Sequence, residues 1–286
     1  MITAKSEISL FDKNFDRNNI ASYGLSIRIT SDGFSFSVLN RKTNQFIGFA
    51  NGFFIDLKRN HSLSEKINCL SEIYPFINDS FSTVEWISDS NDNVIIPESL
   101  FSEANKDKHY EFNLNIDYEN KILFEHIHNL SIVNTFPVNL NTIKWVEEHW
   151  KLSLVTIRHY SSKLIENLYI DYINRSNDTL VYTNVSNRKM DIILFQGKNL
   201  LLSNSFNFET AEDFVYFLMN IFARSNLNPE NTELVFLGDI ARNSDIYKST
   251  HRYVRNISFL RRNPNPFYSF ILDELSEHRF YTLFCN

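Results

Sequence analysis

The feature that most constrains the fold is the order of elements between Asp178 and Ile240. Three runs of apolar residues separated by short turns predict three consecutive strands, and a helix from Thr210 to Arg224 and a strand from Glu233 to Leu237 follow them. The three predicted strands are Leu180 to Val185, Met190 to Phe195 and Leu200 to Phe206. A meander of three strands followed by a helix and a return strand is typical of one half of a duplicated α/β architecture.

The first half of the chain has the same pattern. Two strands around an Asp32-Gly33 turn, a third strand and a capped helix precede a further strand. These strands are predicted at Leu25 to Ile29, Phe34 to Val38, Phe46 to Ile55 and Val84 to Ile87. An offset of 156 residues places Ile27 on Thr183 and keeps the inward-facing positions of the two hairpins in step, which predicts an internal duplication.

Strands and helices also alternate in the rest of the chain, so the predicted class is α/β. Strands are predicted at Val94 to Ile96, Phe112 to Ile116, Ile122 to His128, Ile132 to Phe136, Leu152 to Ile157, Ile257 to Leu260 and Phe280 to Phe284. Helices are predicted at Leu140 to Trp150, Ser162 to Ile173, 244–255 and Phe267 to Leu275, and a loop at 103–109. We expect a polar lead-in over 1–22, a first lobe over 23–150 and a second lobe over 151–286.

Composition excludes several classes of partner. The 286 residues carry a net charge of -6, so the sequence predicts no binding to nucleic acid or to an anionic membrane surface. No segment approaches the ~20 apolar residues of a membrane helix, so we expect no membrane insertion. Cys69 and Cys285 form neither a disulfide framework nor a metal-binding spacing, which favours a reducing compartment and a cytoplasmic location.

Individual polar residues give no catalytic constellation. His126 and His128 alternate on one strand face as two metal ligands would, but Glu125 points to the opposite face and no third ligand is found from spacing. A structural or solvent-facing pair is therefore predicted, and no metal site. Several aspartates have no partner that spacing can assign, namely Asp89, Asp92, Asp191 and Asp239.

Two short stretches carry a resemblance to a known family. The segment from Asn93 to Phe101 and the strand from Leu234 to Gly238 resemble an uncharacterised bacterial family with an actin-like ATPase fold. Over nearly its full length the duplicated chain also resembles this fold as it occurs in actin, the chaperone ATPases and the sugar kinases. The resemblance implies a ribonuclease H-like α/β fold with two similar lobes, each a mixed five-stranded sheet flanked by helices.

The resemblance also implies where a nucleotide would bind. In active members of the superfamily, ATP lies in the cleft between the halves. An Asp-x-Gly at the end of each hairpin supplies an acid for the metal ion and a glycine that lets backbone amides approach the phosphates. At the first hairpin this chain has Arg28 in the acid position and Thr30 in the glycine position, and at the second it has Asn184 and Ser186.

Against the adenosine, where the superfamily has a Gly-Gly pair, this chain has Gly238 and Asp239. Without the two acids Mg²⁺ loses its anchors, and side chains in place of glycines occupy the room that the nucleotide needs. We therefore expect a remnant nucleotide cleft with no catalytic residue, no metal and no cofactor. The expected function is that of a non-catalytic or weakly nucleotide-binding protein that acts through contacts with an unknown protein partner.

Two alternatives stay open. The first is an active ATP-dependent enzyme, an ATPase or a small-molecule kinase, that uses ATP and Mg²⁺ in this cleft with acids from elsewhere in the chain. The second is an α/β enzyme with an unrelated site.

Overall fold

The computed structural model describes residues 2–55, 61–90 and 92–285, and the chain divides into two compact units. The first unit consists of Met1–Lys163 and Pro264–Glu274, and the second of Leu164–Asn263 and Leu275–Cys285. The predicted lobe boundary was 150/151. The division lies later because the strand at Leu154–His159 belongs to the sheet of the first unit.

The elements follow one another in chain order. They are β1 Thr3–Phe11, β2 Tyr23–Ile29, β3 Gly33–Asn40, β4 Gln45–Ile55, α1 Leu63–Ile73, β5 Thr83–Ser88, β6 Val94–Pro97, α2 Lys106–Glu111, β7 Asn120–Ile127, β8 Ile132–Asn139, α3 Leu140–His149, β9 Leu154–His159, α4 Tyr160–Ile173, β10 Thr179–Ser186, β11 Lys189–Gln196, β12 Asn199–Asn207, α5 Ala211–Arg224, β13 Glu233–Gly238, α6 Asp245–Thr250, β14 Asn256–Phe259 and β15 Phe267–Tyr268. Short 3-10 helices occur at Arg17–Ser22, Pro75–Asn78, Glu98–Leu100, Glu103–Asn105, His128–Leu130, Phe270–Glu274 and Tyr281–Phe284.

Both units contain the predicted mixed sheet of five strands. The orders are β4-β3-β2-β5-β9 and β12-β11-β10-β13-β14, and in each the central strand is antiparallel to its hairpin partner and parallel to the strand that follows a helix. Ile29 pairs with Phe34 in the first hairpin and Val185 with Met190 in the second, which preserves the offset of 156 residues. The predicted duplication is therefore visible in the register of the hydrogen-bonded pairs.

The first sheet is larger than predicted, because β1 and β15 both pair with β4 and give seven strands within the described residues. The prediction of a polar lead-in over 1–22 is wrong for residues 3–11, which form β1. Exposed and half-buried side chains alternate along β1, because a strand at a sheet edge turns alternate residues to solvent and needs few apolar ones. Ile2 and the half-buried Phe11 join the core of this unit.

An insertion between β5 and β9 forms a separate sheet with the order β6-β8-β7. Here two predictions are wrong, since residues 106–109 of the predicted loop 103–109 belong to helix α2 and 112–116 forms no strand. Phe112 follows α2 and is 91% exposed, so its apolar character does not place it in a sheet. Pro137, predicted to end a strand, lies inside β8, where pairing with β6 has already stopped at Thr135 and a missing amide is tolerated.

The predictions for the C-terminal region are also wrong in type. The predicted helix over Phe267 to Leu275 is the two-residue strand β15 followed by the 3-10 helix Phe270–Glu274. The predicted terminal strand over Phe280 to Phe284 is the 3-10 helix Tyr281–Phe284. These segments are tied down by tertiary contacts, such as the bond between the Arg262 guanidinium and the Leu275 carbonyl, which local propensity does not encode.

Capped helices cover one face of each five-stranded sheet. The Ser62 hydroxyl and the Glu65 carboxylate form a capping box at α1, and Thr210 and Asp213 form one at α5. The apolar side of α5 is buried with the inward side chains of β10, β11 and β13 in one core. Each fully buried Leu or Phe of such a face contributes roughly 1.5–3 kcal/mol.

The close approach of β1 to β4 gives a first prediction. A Cβ at Gly52 would overlap the backbone carbonyl oxygen of Lys5 and would lie 2.8 Å from the Phe34 ring. We expect Gly52→Ala to lower the free energy of unfolding by about 3 kcal/mol, because the strands must move apart. Gly197→Ala is the matched control, since nothing lies within 4 Å of its Cβ position and only its positive φ is strained. That variant should cost about 1 kcal/mol.

Urea unfolding of the two variants measures the difference. Equal losses of stability would contradict the pairing of residues 3–11 with β4.

Candidate functional site

The predicted nucleotide-site residues lie at the carboxyl ends of parallel strands. In the first unit β2, β5 and β9 are parallel neighbours, and Arg28 and Thr30 lie at the end of β2. In the second unit Asn184 and Ser186 end β10, and Gly238 ends its parallel neighbour β13. In α/β sheets, ligands bind outside the carboxyl ends of the strands, so each unit places these residues where binding sites usually occur.

Arg28 is held by groups of its own unit. Its Nη2 lies 2.7 Å from Oδ2 of Asp89, the first residue after β5, and both side chains are only 23% exposed. Its guanidinium stands over the Tyr160 ring at 4.6 Å from the centroid. The charge at the first expected acid position is therefore positive, and a neighbouring carboxylate already neutralises it.

Thr30 forms part of the tight turn between β2 and β3. Its Oγ1 accepts a hydrogen bond from the Gly33 amide at 2.9 Å and bonds the Asp32 carboxylate at 2.9 Å. Lys66 Nζ donates to the Thr30 carbonyl at 2.9 Å, and burial lowers the pKa of this lysine. Side chains thus close the turn at the position where the resemblance predicts a glycine in a working site.

Asn184 belongs to a buried polar cluster in the second unit. Its Nδ2 donates to Oδ2 of Asp191 at 3.0 Å, and the Ser205 hydroxyl donates to Oδ1 of the same carboxylate at 2.6 Å. Lys189 Nζ lies 3.5 Å from Asp191 Oδ1. A carboxylate is therefore present next to the second expected acid position, but three donors of β10, β11 and β12 already engage it. Ser186 stands at the turn of this hairpin, where its hydroxyl is 3.5 Å from the Lys189 carbonyl.

Gly238 is the one position among those predicted for a nucleotide site at which this chain has the expected glycine, and the backbone requires it. Its φ is 86°, and a Cβ there would overlap the Val185 carbonyl oxygen and lie 2.7 Å from Asn184 Oδ1. The Gly238 amide donates to the His278 carbonyl at 2.8 Å, and the Asp239 amide donates to the Val185 carbonyl at 2.6 Å. The backbone amides of Gly238 and Asp239 therefore both donate hydrogen bonds to carbonyl groups of the second unit.

The Asp239 carboxylate is 72% exposed and forms an ion pair with Arg279 at 3.0 Å. His278, the residue before Arg279, donates from Nε2 to the Ile240 carbonyl at 2.8 Å, and burial lowers the pKa of this imidazole. Asn184 and Gly238 lie near the carboxyl ends of the neighbouring parallel strands β10 and β13, and Asp239 follows Gly238 directly. The three residues are therefore close together at this end of the second sheet.

Sequence reasoning missed the acids that accompany these positions. Asp89 follows β5 directly, and its place beside Arg28 follows from the parallel pairing of β5 with β2. Asp191 pairs with Asn184 across the hairpin, so counting outward from the turn would have found it. The two acids lie on neighbouring strands, not on β2 and β10.

A second polar cluster lies at the end of β9. The His159 imidazole is buried, with Nδ1 2.7 Å from the Ser161 hydroxyl and Nε2 3.0 Å from the Ser90 carbonyl. Because a carbonyl only accepts, Nε2 carries the proton and Nδ1 is the acceptor. Glu125 accepts from Arg158 Nε at 3.1 Å; burial raises the pKa of this glutamate, and the guanidinium opposes that shift. As predicted, Glu125 is on the face of β7 opposite to His126.

Comparison with solved structures identifies the architecture as the actin-like ATPase fold. A protein with this fold and unknown function from Bacteroides thetaiotaomicron VPI-5482 is 22% identical, with a TM-score of 0.75 over 91% of this chain and 97% of that chain. The PilM–PilN type IV pilus biogenesis complex gives 11% identity and a TM-score of 0.59 over 91% and 96%. The predicted fold is therefore confirmed.

The sequence profile of the family named Protein of unknown function (DUF3822) matches residues 12–257, so the chain belongs to this family. No curated protein matches the sequence. The longest helices of the described residues, α4 and α5, have 14 residues each, fewer than the ~20 that a membrane-spanning helix needs.

The different surroundings of two acids give a second prediction. Asp191→Ala removes the carboxylate that the Asn184 amide, the Ser205 hydroxyl and Lys189 share, and we expect it to lower the free energy of unfolding by about 2 kcal/mol. Asp239→Ala removes one exposed ion pair and should cost less than about 1 kcal/mol. Chemical denaturation of both variants checks the difference, and a larger loss for Asp239→Ala would contradict the arrangement described.

Proposed function

We propose that this chain is a non-catalytic or weakly nucleotide-binding member of the actin-like fold that acts through protein–protein contacts. One observation carries the proposal. In each unit, the side chain at the expected acid position is engaged by an aspartate of the same unit, Arg28 by Asp89 and Asn184 by Asp191. A nucleotide would have to displace these contacts before it could bind there.

The electrostatics also disfavour a magnesium–nucleotide complex. Mg²⁺ binds through one or two carboxylates and keeps several waters, whereas Arg28 presents a cation at the first of these positions. The exposed Asp239 carboxylate would repel phosphate, and its neighbour Gly238 has its amide bonded to the His278 carbonyl. We therefore propose no resident cofactor.

Protein partners suit a chain of this kind. PilM, which has a similar fold, is described in a complex with PilN in type IV pilus biogenesis, so this architecture occurs in protein assemblies. The net charge of -6 argues against nucleic acid as the partner. Cys69 and Cys285 are both buried thiols, and we propose a cytoplasmic location because thiols are kept reduced there.

Nucleotide binding is the property that tests the proposal. A ligand at 100 times its Kd stabilises a protein by about 2.7 kcal/mol, which would raise the Tm by several degrees. We expect millimolar Mg-ATP to leave the Tm of the full chain unchanged in differential scanning fluorimetry. MgCl2 alone and ATP with EDTA serve as controls for effects of ionic strength. A rise in Tm of several degrees that occurs with Mg-ATP and with neither control would overturn the proposal.

The alternative function is an ATP-dependent enzyme, an ATPase or a small-molecule kinase. It is favoured by the finding that an acid lies next to each of the two expected positions, Asp89 beside Arg28 and Asp191 beside Asn184. If this alternative holds, phosphate release from ATP should be detectable and should be abolished in Asp191→Asn or Asp239→Asn. Turnover that is indifferent to both substitutions would contradict it.

A further inference from the structure

The inserted three-stranded sheet brings together three metal-binding side chains, Glu98, His126 and His128. One ligand atom of each lies within 4.8 Å of the others. His126 lies on β7, His128 opens the 3-10 helix that follows, and Glu98 opens the 3-10 helix after β6. None of the three belongs to the remnant nucleotide positions.

The topology of the insertion explains how residues distant in sequence meet. β6 and β7 flank β8 on opposite sides, and Pro97 and Ile127 both pair with Ile132. The Glu98 amide donates to the Ser131 carbonyl at 2.8 Å, which fixes the glutamate next to the turn between β7 and β8. The carboxylate therefore reaches the two imidazoles from the far side of β8.

The distances fit a shared cation. Glu98 Oε1 lies 2.8 Å from His126 Nδ1 and 3.7 Å from His128 Nδ1. In a tetrahedral zinc site with bonds of about 2.0–2.1 Å, neighbouring ligand atoms are about 3.3 Å apart, between these two values. The two distances to the Glu98 oxygen thus lie on either side of the value for a shared ion, and all three ligand atoms lie within 4.8 Å of one another.

A simple hydrogen bond accounts for only one of the histidines. His126 Nδ1 can donate to Glu98, but His128 Nδ1 at 3.7 Å is beyond hydrogen-bonding distance. The His128 side chain is 78% exposed, so burial does not hold it in this position. Its ring is nevertheless stacked on that of His126, with centroids 5.2 Å apart and planes at 11°, and both Nδ1 atoms face the same oxygen.

The cluster of Glu98, His126 and His128 is packed on the side of His126 and exposed to solvent on the side of His128. Phe101 and Phe124 contact the His126 ring at centroid distances of 5.8 and 5.7 Å, both nearly edge-on, and restrict its rotation. On the other side the exposed His128 leaves room for water. Two imidazoles and one carboxylate with open positions are a donor set typical of zinc and related divalent ions.

We propose that Glu98, His126 and His128 bind one divalent transition-metal ion of the zinc type, with the remaining coordination positions open to water or an external ligand. Binding would replace the hydrogen bond between His126 Nδ1 and Glu98, and the neutral imidazole would then carry its proton on Nε2. The sequence predicted no metal site because Glu98 lies 28 residues before His126 and spacing alone does not connect them.

Isothermal titration of the full chain with ZnCl2 tests this site. We expect one ion per chain with a Kd in the micromolar range or tighter, and at least a tenfold weaker Kd in His128→Gln and in Glu98→Gln. Co²⁺ should give visible absorption bands of a nitrogen- and oxygen-bound ion, and these bands should disappear in His128→Gln. His251→Gln is the matched control, since His251 is an exposed histidine of the second unit.

Because His128 is exposed, its substitution should leave the metal-free Tm unchanged, and this measurement separates lost binding from lost folding. Stoichiometry well below one, or equal Kd values for His128→Gln and His251→Gln, would overturn the proposal. The outcome is independent of the Mg-ATP experiment, which concerns other residues.

Discussion

Each unit depends on one strand, β2 in the first and β10 in the second, that must bond neighbours on both edges. β10 is buried at six consecutive positions, so its backbone groups have no access to water and need partners on both sides. The hairpin supplies one partner at once, whereas the parallel partner requires a connection long enough to return the chain to the same end of the sheet, here through α1 or α5. Because β5 and β13 return in this way, their carboxyl ends lie beside those of β2 and β10. The polar residues that end these strands therefore lie at the same end of each sheet.

At these ends of the sheets, oppositely charged side chains of the same unit form ion pairs. Arg28 with Asp89, Lys189 with Asp191, and Arg279 with Asp239 are three ion pairs at or near the predicted nucleotide-site positions. In the first unit the acid lies on the parallel neighbour of the central strand, and in the second on the antiparallel neighbour. Because each cation there is paired with a carboxylate, this end of the sheet presents little net positive charge to an anionic ligand. This is the physical basis of the proposed absence or weakness of nucleotide binding.

The sequence predicted the elements that local patterns specify. Alternation, turn residues and a capping box determined the two hairpins and α5 to within two residues. The offset of 156 correctly predicted that the two hairpins have corresponding registers. Prediction from the sequence failed where tertiary contacts decide, as for residues 3–11, which need the edge of β4, and for 280–284, which lack a strand partner.

The sites show the same distinction. The resemblance predicted Arg28, Asn184 and Gly238 as site residues, and the structure has them at strand ends, while their role in nucleotide binding stays a prediction. Asp89 reaches Arg28 from the end of the strand next to β2, and Glu98 reaches His126 from the opposite side of β8. Such contacts follow from sheet order, and the sheet order of the insertion could not be obtained from periodicity.

The two units differ at the outer edges of their sheets, because only the first sheet has extra strands in the described residues. In the first unit the outer backbone of β4 is saturated by β1 and β15, whereas the corresponding β12 has no further strand beside it in the part of the chain that is described. A polypeptide that docks by β-augmentation requires unsaturated main-chain donors and acceptors, which β4 no longer offers. The two units therefore differ in the main-chain groups that they leave open at a sheet edge, and a strand added in this way would find them at β12 and not at β4.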